Sequence, residues 1–203
     1  RYVEYVLEKE GDIAAVIAEP VRSTPYIPRP EYWKTIREAC DRHGALLIFD
    51  EIPHALGRTG TMFTCENFGV VPDILVIGKG LGGGILPLAA IITRTELDVA
   101  ADRALGHYTH EKNPVACAAA LATIATIETH KLAENARQVG GYALERMKAM
   151  MVNHPLIGDV RGLGLLMGIE LVRDRDTRER ATDEAEAVMY NALSKGLSFK
   201  ITM

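Results

Sequence analysis

Lys79 stands where an apolar run ends. The segment Pro72-Asp-Ile-Leu-Val-Ile-Gly-Lys-Gly-Leu-Gly-Gly-Gly-Ile-Leu-Pro87 sets it between two glycines, with three more close behind. A lysine at the end of a buried strand is partly desolvated, and desolvation weakens its preference for the charged form. Its neutral amine can then form an imine with an aldehyde. The flanking glycines leave room for a planar ring against the backbone. A phosphate loop is the competing reading. That motif, G-x-x-x-x-G-K-[ST], needs glycines ahead of the lysine and a hydroxyl after it. Here Gly80 follows Lys79 and no such loop precedes it.

A second apolar run, Leu46-Leu-Ile-Phe, ends on Asp50-Glu51. In open α/β sheets ligands collect at the carboxyl ends of the strands. Asp50 alone also suits a helix cap, or a magnesium ligand of the nucleotide-hydrolase type. Paired with Lys79 it suits something narrower. Pyridoxal phosphate needs a lysine for its aldehyde carbon and an anion that keeps its ring nitrogen protonated, so that the ring accepts electrons. Asp50 and Lys79 end two predicted strands with one connecting segment between them, as two sides of such a ring require.

The elements that would hold this pair are legible as alternating patterns. Ala14–Glu19, Ala45–Ile52, Ile74–Ile77 and Leu88–Thr93 read as strands. The apolar start of the second predicts a strand covered on both faces. Arg29–Arg42 reads as a helix, with Pro30 near its start and Gly44 after its end. Helices follow at Asn113–His130 and Leu132–Asn153. Gly140-Gly141 inside the latter costs about 1 kcal/mol per glycine relative to alanine, which predicts a kink or a close contact. Ile157–Val172 is glycine-punctuated and strand-like, Arg173–Arg180 a solvated loop, and Ala181–Lys195 a final helix. Strands alternating with helices predict α/β architecture with a mainly parallel sheet. A change of character near residue 154 divides a sheet-based domain, 1–154, from a smaller α+β unit, 155–203.

The bulk properties narrow the function classes. The 203 residues are 48% apolar, enough for a sizeable core. A net charge of −4 with both signs mixed gives no footprint for nucleic acid or an anionic membrane. Cys40, Cys65 and Cys117 are widely spaced, which suggests reduced thiols in a cytoplasmic protein and neither a disulfide framework nor a zinc site. No apolar run reaches membrane-span length, and no stretch reads as a signal peptide. The chain opens on Arg1 inside a helix-like pattern, and Ser198–Met203 reads as the start of a strand, so a piece of a longer chain is expected.

At its chemistry-bearing residues the sequence resembles the class III aminotransferases, pyridoxal-phosphate enzymes of fold type I. Asp50-Glu-Ile-Pro-His-Ala-Leu-Gly-Arg-Thr-Gly60 is similar to the family run D-E-V-Q-x-G-x-G-R-T-G. Pro72–Gly84 is similar to its lysine segment, and Glu19-Pro20-Val21 to its E-P-[IV]. Thr109…Asn113-Pro114 resembles T-x-G-G-N-P, and Val160-Arg-Gly-Leu-Gly164…Gly168-Ile-Glu-Leu171 the opening of the family's small domain. The order is kept through nearly the whole chain.

The resemblance implies part of a large cofactor domain, a mainly parallel sheet with helices on both faces, followed by part of a small C-terminal domain. It implies that Lys79 is the Schiff-base lysine and that Asp50 pairs with the ring nitrogen. Ile52 packs on a ring face, and Thr109 reaches the cofactor phosphate of the partner in a homodimer. Arg58 supports its loop. The implied activity is amino transfer between an amine or amino acid and a keto acid or aldehyde.

Departures lie on the substrate side. Pro53 replaces the family's glutamine, Glu111-Lys112 replaces G-G, and Arg22-Ser-Thr-Pro25 stands where many members read Q-G-E-G-G. An ammonia- or phospho-lyase acting on a phosphorylated or phosphonate amino alcohol is therefore an alternative, with Arg22 and Lys112 as candidates for the anionic group. A non-catalytic phosphate-binding module is a further one. His107 and His110 flank Thr109 without carboxylates or cysteines to complete a metal site. His43 suits the negative end of its helix, Tyr32 and Trp33 suit helix packing, and His54 has no assigned role.

Overall fold

The computed structural model describes every residue except Ala101, Ala104, Leu105, His107 and Met203; the expectation for His107 falls outside the described residues. Helix α1 (Tyr2–Glu10) leads into β1 (Ala15–Ala18), α2 (Pro30–His43), β2 (Leu46–Asp50), β3 (Ile74–Ile77) and β4 (Ala90–Thr93). Then come α3 (Pro114–Thr129), α4 (Leu132–Met150), a hairpin of β5 (Ile157–Leu163) and β6 (Leu166–Leu171), and α5 (Thr182–Ser194). β1, β2 and β3 are parallel neighbours in that order, and β4 joins β3 antiparallel.

The α2 helix forms where proline and glycine punctuate it. Pro30 occupies the first turn, and Gly44 ends the helix in the left-handed region at φ 68°, its N–H donating to the Cys40 carbonyl. Trp33, Ile36, Ala39 and Cys40 recur at helical spacing and are all buried. They meet Leu47 and Phe49 of β2, whose burial contributes roughly 2–3 kcal/mol each. The Trp33 ring packs edge-on to Phe49 at 4.7 Å between centroids, and its indole N–H donates to the Pro20 carbonyl at 2.7 Å. Tyr32 remains exposed beside it.

Register assigns the two sheet faces. Val16 lies opposite Leu47, and Phe49 opposite Leu75, on the face that α2 covers. Ile17, Ile48 and Ile74 form the other face, with Asp50, Val76 and Ile91 along its edge. Ile17 is 65% exposed and Ile91 67%. Among the described residues α2 covers one face of β2, and the face that carries Ile17 and Ile91 is largely open. Asp73 fixes the start of the sheet. Its carboxylate accepts the Leu47 N–H at 2.8 Å and the Arg37 and Arg94 guanidiniums at 2.6 and 2.9 Å. Residues 198–202, expected as the start of a strand, form none, having no strand neighbour to share a hydrogen-bond ladder. Among the described residues no helix is long and apolar enough to cross a membrane.

Gly140 marks a close approach of backbones. A Cβ there would lie 1.9 Å from the Gly164 carbonyl oxygen, at the turn of the β5–β6 hairpin. A Cβ on Gly164 would in turn lie 2.5 Å from the Thr59 carbonyl carbon, and the Leu165 N–H donates to the Arg58 carbonyl at 2.9 Å. Helix α4, the hairpin turn and residues 58–60 thus meet through main chain. Gly141 faces open space. Gly140→Ala is expected to lower the unfolding free energy of the complete protein by about 2–4 kcal/mol. Gly141→Ala should leave it unchanged or raise it by about 0.5–1 kcal/mol, both read from denaturant titrations.

Candidate active site at the carboxyl edge of the parallel strands

Asp50 is the last residue of β2 and lies opposite Val76, three residues before Lys79. The ladder runs one step further, with the Glu51 N–H donating to the Val76 carbonyl at 2.9 Å. The carboxylate and the lysine therefore leave adjacent strands at the same end of the sheet. Asp50 is half-buried, and its Oδ1 accepts the Ile52 N–H at 3.0 Å. Oδ2 receives no hydrogen bond among the described residues.

Lys79 opens a short 3-10 turn, Lys79–Gly82. Its φ of 41° is left-handed, a conformation that costs a side-chain-bearing residue roughly 1 kcal/mol or more. Its side chain is exposed, in contrast to the partial burial expected of a strand-end lysine, because the described residues do not cover that face. The glycines beside it have neighbours. A Cβ on Gly78 would lie 3.4 Å from Ile52 Cγ2 and from the Ala89 side chain, and one on Gly80 would lie 3.6 Å from Leu56. The loop after Asp50 and the lysine turn are thus packed against one another, with Ile52 at the contact. Helix α3 supports the turn from behind; it starts at Asn113, whose Oδ1 accepts the Val115 and Ala116 N–H groups at 2.9 and 3.4 Å.

A buried polar cluster braces the Asp50 loop. Glu51 is fully buried, and its two carboxylate oxygens accept the N–H groups of Thr64 and Cys65 at 2.6 and 2.7 Å. Burial pushes its carboxyl above the usual range, and those two N–H groups hold it back. His54 is 1% exposed, with Nδ1 3.0 Å from the Thr64 hydroxyl and Nε2 buried without a partner. Thr64 Oγ1 also lies 3.2 Å from the His54 carbonyl and 3.3 Å from the Thr59 hydroxyl. Burial pushes the imidazole down to about 4, against the pull of the Asp50 charge, so His54 is neutral at pH 7. The Cys65 thiol is pushed up to about 12, first by burial and then by the Glu51 charge, so it carries no thiolate chemistry.

Asp50 and Lys79 leave neighbouring strands at one end of the sheet, and Ile52 packs on Gly78 beside Lys79. Thr109 is exposed in the turn before α3, and no described hydrogen bond joins it to the other three. Arg58 contributes its carbonyl to the hairpin contact, and its side chain is exposed. Among the described residues no three His, Cys, Asp or Glu side chains cluster as a metal site. Glu51, His54 and Thr64 escaped sequence reasoning. A glutamate beside, and a histidine among, the otherwise apolar residues 52–56 are a signal, but the partner ten to fourteen residues downstream has no local mark.

The fold and this strand-end pair define an α/β class in which a carboxylate and a lysine leave neighbouring parallel strands. The chain belongs to the class-III aminotransferase family, whose model matches residues 1–202. It is 53% identical over 202 residues to the (R)-1-hydroxy-2-aminoethylphosphonate ammonia-lyase of Vibrio splendidus, covering 99% of this chain and 42% of that protein. It is 45% identical to the leucine/methionine racemase of Thermococcus litoralis, covering 96% and 46%. A Bacillus anthracis aminotransferase structure superposes with a TM-score of 0.90 at 38% identity, covering 98% of this chain and 47% of that one. The chain spans less than half the length of these relatives.

His54 makes a pH prediction. Its pKa falls from 6.5 unfolded to about 4 folded. Between those values the unfolded chain binds more protons, so this contribution is complete above pH 6.5 and is lost as pH falls towards 4. The full loss is about 3 kcal/mol. Glu51, shifted upward, acts in the opposite sense over its own range, so the histidine is isolated by comparison with His54→Gln. The stability advantage of wild type over the variant should shrink by about 2–3 kcal/mol between about pH 7 and pH 4.5 in denaturant titrations. An advantage that does not change with pH refutes the assignment.

Proposed function

We propose that the complete protein is a pyridoxal-phosphate-dependent aminotransferase in which Lys79 and Asp50 are the catalytic residues. The observation that carries this reading is the register of β2 on β3, with Asp50 opposite Val76 and Lys79 directly beyond the strand, in a chain of the class-III family. The residues fit the cofactor. Lys79 offers an exposed amine, and Asp50 offers an oxygen that takes no other hydrogen bond among the described residues; Gly78, expected to leave room for the ring, is instead packed against Ile52 and Ala89. A primary amine and a carboxylate are the donor set that pyridoxal phosphate requires. Residues 1–154 belong in this reading to the large cofactor domain and 155–203 to the small one.

When bound, the cofactor supplies an electron sink for the substrate carbon. Lys79 would hold the cofactor through its Nζ and, as a free amine, would take a proton from the substrate Cα as general base. Asp50 keeps the proton on the ring nitrogen. Ile52 covers a ring face and excludes water from it. Thr109, exposed before α3, reaches the cofactor phosphate of a partner subunit in a homodimer.

A second reading, an ammonia-lyase acting on a phosphonate amino alcohol, is favoured by the Arg22–Tyr26 segment. It replaces the family's glycine-rich run with a tight loop whose Arg22 is exposed and forms no ion pair among the described residues. The 53% identical relative carries a phosphonate in its substrate name. Arg22, with Lys112, would then hold the anionic group.

Borohydride reduction of the full-length holoenzyme should fix the pyridoxyl group on Lys79 by peptide mapping; label on another lysine ends the assignment. Asp50→Asn should retain cofactor while turnover falls about a thousandfold or more. Lys79→Ala and Thr109→Ala subunits, each inactive alone, should regain activity when mixed into heterodimers, one site of which carries neither change.

Transfer and elimination separate without an acceptor. Given an amine donor and no keto acid, an aminotransferase completes one half-reaction per site and stops. Continuous release of ammonia from a phosphonate amino alcohol replaces that reading with the lyase and leaves Lys79 and Asp50 in their roles.

A further inference from the structure

We propose that Arg161 is a positioning residue that latches the Arg22–Tyr26 loop onto the β5–β6 hairpin, and so fixes where Arg22 presents its guanidinium to an anionic substrate group. The inference rests on the reading of Arg22 as the anion-binding residue.

Independent contacts make the latch. Arg161 Nη1 donates to the Asp159 and Glu170 carboxylates, each at 2.6 Å, which orients the guanidinium on the hairpin. Its Nε donates to the Pro25 carbonyl at 2.9 Å. The guanidinium carbon lies 4.9 Å from the centre of the Tyr26 ring, within the range of a cation–π contact. Directly across the hairpin, Gly168 is the register partner of Arg161. A Cβ on Gly168 would lie 2.7 Å from Pro25 Cγ, so the proline ring rests on bare backbone. One cross-strand pair therefore seats one loop, by charge on one strand and by the absence of a side chain on the other. The loop is closed at its neck, where the Arg22 N–H donates to the Tyr26 carbonyl at 3.1 Å.

The arrangement demands arginine. Its planar fork serves two carboxylates and a carbonyl while a face remains for the aromatic ring, whereas an ammonium has no such plane. Arg22 itself is exposed and makes no ion pair among the described residues, which leaves its charge available. The small hairpin unit thus reaches the substrate side of the sheet through residues far from it in sequence.

The test uses the full-length protein and two readouts. A protease needs an extended, mobile segment, so the rate at which trypsin cuts the Arg22–Ser23 bond rises as the loop opens more often and reports the latch with or without cofactor. Arg161→Met and Gly168→Ala should each speed cleavage at that bond by about tenfold. In titrations of the holoenzyme each should weaken binding of 2-aminoethylphosphonate by about tenfold and leave binding of propylamine unchanged. Tyr26→Phe keeps the ring and should match wild type in both. Unchanged cleavage in both Arg161→Met and Gly168→Ala overturns the latch. Faster cleavage with equal effects on the two ligands overturns the positioning role and the reading of Arg22. Failure of the cofactor chemistry itself would show separately, as a wild-type protein with no visible cofactor absorbance.

Discussion

The carboxylate of Glu51, sealed from water and held by the N–H groups of Thr64 and Cys65, is the interaction on which the site depends. An ionised group in such a place is strongly unfavourable unless its lone pairs are used. Here the donors come from a segment thirteen residues downstream, so the carboxylate folds the loop back beneath β2. Everything on the loop is set by that closure. His54 is brought onto the Thr64 hydroxyl, Ile52 reaches the glycine beside Lys79, and Thr59 is brought to the hairpin turn. Asp50 can be half-exposed and chemically available because its neighbour takes the buried position.

The lysine turn shows the complementary economy. A left-handed residue with a full side chain is strained. The strain is tolerated where Gly78 is buried against Ile52 and Ala89 and where α3 packs behind the turn. The backbone direction at Lys79 is thus dictated by packing on both sides.

Much of this is legible in the sequence, for physical reasons that differ from element to element. Asp50 and Lys79 stand out because a charge after an apolar run must have a partner or a task, and glycine on both sides of a lysine removes the ordinary packing explanation. The α2 helix is legible from Pro30 and Gly44, whose backbone preferences are local. The close contact at Gly140 is half legible: glycine inside a helix announces a reason, and only the fold reveals that the reason is the Gly164 carbonyl. The role of Glu51 is not legible, because its donors are backbone groups and backbone groups carry no residue identity. For β2 the apolar run predicts cover on both faces. An apolar run records what the strand is suited to meet, and the described residues leave one of its faces largely open. The segment 198–202 fails in the same way, since a strand exists only with a neighbour.

The three-way meeting of Gly140, Gly164 and Thr59 has a kinetic meaning. These residues span more than half the chain, and the contact is made by main chain with no side chain to yield. Such a joint closes only after both of its distant halves have taken nearly final shape, because loop closure over that separation is entropically costly and is rewarded only by a correct fit. The hairpin is local and can form early by itself, but it cannot settle on a loop that Glu51 has not yet closed. Docking of the hairpin turn on residues 58–60 is therefore expected late in folding, because it requires both distant segments to have nearly final shape.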